Sequence, residues 1–188
     1  MSDWPDEVTA RIADEIKRLR GARSGQWLSD QTAERGHRVS RSTISEIETK
    51  RRKSITVSDL IVLAAALDTT PIALIYPPPY DAGIRIIPNM VNDAAKMLAV
   101  QWFCGLLTEN ETRNLIGGDL ETLSKNRLPI RIAREMYDLE SDLHELMRQD
   151  VPEDSEEHVQ ALKGISALRS KIAALKTMSE VMERHRGG

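Results

Sequence analysis

Aromatic side chains are scarce in this chain of 188 residues: one Phe, three Tyr and three Trp. Stacking platforms for single-stranded nucleic acid, or for an RNA-binding sheet, are hard to build from so few rings. The core must come from Ala, Leu, Ile, Val and Met. Cysteine is nearly absent, and the single Cys104 excludes an intrachain disulfide framework. Long apolar runs are also missing. The best, Leu60 to Leu67, is far below the roughly 18 residues of a membrane span, so no membrane partner is expected. The opening MSDWPDEVTA lacks a basic-then-apolar signal layout, and a cytosolic location is expected. Phosphate-binding glycine loops, nucleophile elbows and HExxH are absent, so no catalytic residue and no enzyme activity is expected. His37, His144, His158 and His185 show no metal-type spacing to one another, to Cys104 or to a carboxylate cluster. Neither a metal nor another cofactor is expected.

Charge is present but unevenly placed. The formal net charge is −3. From Arg35 to Lys53 there are seven basic residues and two acids, while from Glu135 to Glu157 there are ten acids and one Arg. A local basic patch, not the total, decides contact with a polyanion. A second basic cluster, Lys125, Arg127, Arg131 and Arg134, contains no acid.

Apolar periodicity predicts helices nearly throughout. A first helix spans Asp6 to Arg20, with Val8, Ile12, Ile16 and Leu19 on one stripe and Gly21 as its stop. Ser24, Ser40 and Thr56 are N-cap residues for the next three helices, and Thr70-Pro71 opens a fifth. Pro77 to Gly83 reads as a stiff linker. Domains are thus expected at 1–76, a Pro-rich linker at 77–88, and a helical C-terminal part at 89–188. In that part a helix is expected over Val91 to Leu107, carrying Trp102, Phe103 and Cys104 as core residues. Ile84 to Ile87 is a possible strand with no evident partner. Pro129 is expected to open a long helix reaching about Gln149. A last helix carries Leu162, Ile165, Leu168, Ile172, Leu175 and Met182 on its stripe, with acids in its first turn and Arg184, His185 and Arg186 at its end. Together these two make an antiparallel hairpin. The fold class expected is all-α.

The functional signal lies in Val39-Ser40-Arg41-Ser42-Thr43-Ile44-Ser45-Glu46-Ile47-Glu48-Thr49-Lys50-Arg51-Arg52-Lys53. Val39, Ile44 and Ile47 can pack inward. Arg41, Ser42, Thr43 and Ser45 occupy the outer N-terminal positions from which a recognition helix reaches base edges. Arg38, Ser40, Lys50, Arg51, Arg52 and Lys53 flank it and are candidates for phosphate contact.

This stretch, followed by TVSDLIVLAAALDTTPIALI, resembles the Cro/C1 (Xre) helix-turn-helix family over roughly residues 8–76. The resemblance implies a five-helix lambda-repressor-like domain that binds double-stranded operator DNA in the bacterial cytosol or nucleoid. One departure is visible: Ser24-Gly25-Gln26-Trp27-Leu28-Ser29 stands where the family's second helix begins, and the stretch to Val39 is longer than usual. Arg35 to Arg38 are expected to extend the turn. The second half resembles, more weakly, the C-terminal region of actinobacteriophage (mycobacteriophage) immunity repressors. The order of a Pro-rich linker, IRIIP, AVQWFCG and charged helices is similar. That resemblance implies a lysogeny repressor whose second domain assists DNA binding. Arg127, Arg131 and Arg134 would then be a second DNA contact, with Lys125 nearby. Two arrangements stay open: a monomer on an asymmetric site, or a homodimer on a palindrome. An alternative is an Xre-type antitoxin or host regulator whose C-terminal helices bind a protein. A self-cleaving Ser-Lys domain would need a β-rich second half, so autoproteolysis is not expected.

Overall fold

The computed structural model describes residues 3–90 and 92–186. It divides into two compact units, Met1–Ile116 and Gly117–Gly188.

Five helices open the first unit: α1 (Trp4–Arg20), α2 (Gly25–Glu34), α3 (Arg41–Glu48), α4 (Val57–Ala66) and α5 (Pro71–Ile75). Their starts follow the local chemistry. The hydroxyls of Ser24, Ser40, Thr56 and Thr70 each accept a backbone N–H three residues on, from Trp27, Thr43, Asp59 and Ala73. Ile12, Ile16, Leu28, Val39, Ile44, Ile47, Leu63 and Leu74 form one buried core between the five helices. These side chains leave water almost completely, and each contributes on the order of 1.5–3 kcal/mol of hydrophobic stabilisation.

The Pro-rich stretch is not a free linker. Lys96 Nζ donates to Pro77 O at 2.6 Å, the Lys96 and Met97 amides donate to Ala82 O and Tyr80 O at 2.9 Å, and Trp4 Nε1 donates to Arg85 O at 3.1 Å. The expected strand is real but shorter, β1 (Gly83–Ile84), and its partner is β2 (Ala94–Ala95), paired antiparallel as Gly83↔Ala95 and Ile84↔Ala94. The helix expected from Val91 begins later, as α6 (Lys96–Phe103), because Ala94 and Ala95 are used in the ladder; Val91 lies outside the described residues. α7 (Glu109–Ile116) completes the unit. Tyr76, Ile84, Ile86 and Ala99 form a second small core, with Trp102 packed against it. Phe103 departs from the core role expected: it is 55 % exposed and meets the Tyr76 ring only edge-on. Burial pushes the Tyr76 hydroxyl's pKa up and those of Arg11 and Lys96 down.

The second unit is a hairpin of α8 (Leu120–Arg148) and α9 (Glu156–Arg186). Gly117 and Gly118, at φ +80° and +111°, precede it in a backbone conformation that favours glycine. Pro129 does not open α8; it lies inside, ten residues after Asp119, whose carboxylate caps the helix by accepting from Thr122 N at 2.8 Å. The helix therefore starts at its cap and runs through the proline, which removes one backbone hydrogen bond from its interior. Ile132 and Ile172 are buried between the helices, and Lys176 pairs with Glu140 at 3.1 Å. Leu162, expected to face inward, is 53 % exposed. A stripe as wide as that of α9 cannot be covered by one partner helix.

Candidate nucleic-acid interface

α3 packs on α1 and α2. At its start, Ser40 Oγ accepts from Thr43 N at 3.1 Å and lies 2.7 and 2.9 Å from the hydroxyls of Ser42 and Thr43. The N-terminus of α2 approaches closely: a Cβ on Gly25 would meet Arg41 Cγ at 3.8 Å and Ile44 Cγ2 at 4.0 Å. Ile44 and Ile47 face the core. That leaves Arg41, Ser42, Ser45 and Glu46 exposed on the outer side and Thr43 half-exposed.

The turn from α2 to α3 occupies residues 35–40. Gly36, at φ +87°, closes α2 by donating to Ala33 O at 3.0 Å. The extra length is held by Thr32, which is fully buried. Its Oγ1 donates to Ser29 O at 2.8 Å and accepts from Val39 N at 2.9 Å. His37 Nε2 is 3.0 Å from Asp59 Oδ1, and Arg52 reaches the other oxygen of Asp59 at 3.6 Å. Asp59, in the first turn of α4, thus holds the turn before α3 and the loop after it. The C-terminal end of α3 is tied to α1 by a bidentate pair: Arg20 Nε and the second guanidinium nitrogen donate to Glu48 at 2.6 and 2.7 Å. Glu48 raises the pKa of Arg20 through that hydrogen bond.

The cations expected at the interface, Arg41 for bases and the others for phosphates, fall into two groups. Arg41 and Arg51 have no acidic partner among the described residues, and Arg51 Nε donates to Thr49 Oγ1. Arg38, Lys50, Arg52 and Lys53 each have one: Asp30 at 3.3 Å, Asp14 at 2.8 Å, Asp59 at 3.6 Å and Asp6 at 2.8 Å. Lys50 adopts φ +59°, and its amide donates to Ile47 O, reversing the chain into the basic loop. Sequence reasoning missed Glu46 on the outer face. It also missed the positioning residues Thr32, Asp59, Arg20 and Glu48. The Arg20–Glu48 pair leaves no sequence signal, since its members lie far apart in the chain.

On α8, Arg127, Arg131 and Arg134 follow at spacings of four and three and share one face. Lys125, two residues before Arg127, points to another. Among the described residues no group of three or more His, Cys, Asp or Glu side chains could hold a metal ion, and no helix is long and apolar enough to cross a membrane.

A short, exposed helix braced at its start on α2 and at its end on α1, with cations beside it, defines a class: the DNA-binding helix-turn-helix of transcription regulators. A helix-turn-helix family model matches residues 16–74, under half of the chain, and this segment is a helix-turn-helix domain of the Cro/C1 type. No curated protein and no solved structure matches the chain.

Proposed function

We propose that this protein is a sequence-specific transcriptional repressor of the phage immunity kind, with α3 as its major-groove reader. The observation that carries the reading is Arg41: exposed at the first position of α3, its stem against Gly25, and without a hydrogen bond or ion pair among the described residues. A guanidinium so placed is available for bidentate contact with guanine O6 and N7. Ser42, Thr43 and Ser45 supply hydroxyls that donate or accept, and Glu46 adds an acceptor for cytosine N4. Arg38, Ser40, Lys50, Arg51, Arg52 and Lys53 flank the helix as phosphate contacts. The order of segments in the second half supports the immunity role. On α8, the shared face of Arg127, Arg131 and Arg134 is the second DNA contact, with Lys125 beside it.

Selected DNA, footprinting and mass measurement of the complex test the reading together. Arg41→Ala should cost about 1–3 kcal/mol at the selected site and little elsewhere. Arg51→Ala should weaken binding to every sequence and flatten its salt dependence. Equal operator binding by Arg41→Ala and native protein refutes the base contact. A short asymmetric footprint with one bound chain supports the second contact on α8; a palindromic footprint with two chains overturns it in favour of a homodimer.

A second reading is favoured by the exposed apolar residues of the hairpin, Tyr137 at 73 % and Leu162 at 53 %. They suit a protein partner for α8 and α9, as in an antitoxin or host regulator. Stoichiometric co-purification of a small protein would select it.

A further inference from the structure

Three of the cations beside α3 carry exposed acidic partners that do little for the fold. Asp6, Ala10 and Asp14 stand at i, i+4 and i+8 and share one face of α1. That face lies against the basic loop, where Thr9 Oγ1 donates to Lys53 O at 3.3 Å. Lys53 Nζ reaches Asp6 and Lys50 Nζ reaches Asp14, both at 2.8 Å, and Arg38 reaches Asp30 on α2 at 3.3 Å. Lys50 and Asp14 are 48 % and 63 % exposed. Exposed pairs of this kind add little stability. Asp59 differs, being buried against His37 and Arg52.

We propose that Asp6, Asp14 and Asp30 are internal counter-ions to Lys53, Lys50 and Arg38, set there to weaken the protein's sequence-independent grip on DNA. The inference rests on the DNA-binding reading above. A cation that moves to a phosphate leaves its carboxylate behind, within the roughly 8 Å over which charge is felt at physiological salt. That carboxylate repels the backbone or takes up a cation. Either way fewer ions are released on binding, and both affinity and salt dependence fall. Arg41 and Arg51, with no acidic partner among the described residues, keep their full attraction for bases and phosphate.

The test uses the full chain carrying Asp6→Asn and Asp14→Asn together, measured against an unrelated duplex and the selected operator over a salt series. Each substitution should raise affinity about 1.5- to 5-fold, the worth of an exposed ion pair. The two duplexes should gain by the same factor, and the slope of log affinity against log salt should steepen, by up to about one per carboxylate removed. Unchanged affinity and slope in a variant whose parent binds DNA overturn this inference alone. A gain or loss confined to the operator also overturns it, since the carboxylates would then act by placing α3. If the native chain has no salt-dependent affinity for any duplex, both readings fall. Asp6 also supports the first turn of α1, so Asp14→Asn alone carries the test should the double variant melt early.

Discussion

Replacing Thr32 with Val removes one hydroxyl and keeps the shape of the side chain. Thr32 is 0 % exposed, and the residue it serves, Val39, is 2 % exposed. The lost hydroxyl leaves the Val39 amide, now bonded at 2.9 Å, without an acceptor and without access to water. An unsatisfied buried amide costs about 1–3 kcal/mol. The Ser29 carbonyl suffers less, because it stays within the helical ladder of α2. The methyl that replaces the hydroxyl returns at most about 0.8 kcal/mol. The net loss is about 1–2 kcal/mol, or roughly 5–15 °C in Tm for a unit of this size. Operator affinity should fall as well, because the Val39 amide fixes the chain one residue before the cap of α3. Thr32→Ser is the control: it keeps the bond and loses only the methyl. Urea denaturation and operator titration of both variants decide the matter. A Thr32→Val protein within about 0.5 kcal/mol of native, or no more damaged than Thr32→Ser, refutes the account of the turn.

Two further outcomes are expected. Gly25→Ala places its Cβ in ordinary contact with Arg41 and Ile44 and should stabilise the protein by about 0.4–1 kcal/mol by restricting the unfolded chain; a lowered Tm would show that α2 and α3 meet more tightly than described. Burial, with Arg11 acting in the same direction, lowers the pKa of Lys96 from its ordinary 10.5. The unfolded chain then binds the extra proton, so the contribution of Lys96 to stability grows as pH rises from its folded value towards 10.5. The stability of native protein minus that of Lys96→Met should climb over that range, and a flat difference by calorimetry would refute the burial.

Much of the first unit was legible because its signals are local. Ser24, Ser40, Thr56 and Thr70 announce four helix starts within three residues of the groups they satisfy, and Ile12, Ile16, Ile44 and Ile47 repeat with the helical period. What resisted was long-range. The pairing of Ile84 with Ala94 is too short to show an alternating pattern. The boundary at Gly117–Gly118 was hidden behind a Pro-rich run that looks more like a linker. Pro129 misled because a proline inside a helix is costly, so it reads as a helix start, whereas α8 begins at its cap on Asp119. In the site, charge clustering identified the cations but not which of them Asp6, Asp14, Asp30 and Asp59 would hold.

The way residues 77–103 fold back changes what counts as a separable part. α1 serves two cores at once: Ile12 and Ile16 belong to the core under α3, while Trp4 and Arg11 hold the carbonyls of Arg85 and Ile75. A fragment cut after Tyr76 would lose the cover over Ile72, Ile75 and Tyr76 and present a fresh apolar face to water. The smallest heritable piece that could be moved intact into another regulator is therefore the whole of Met1–Ile116, and a chimera joined at the prolines would carry the reading helix on a damaged base.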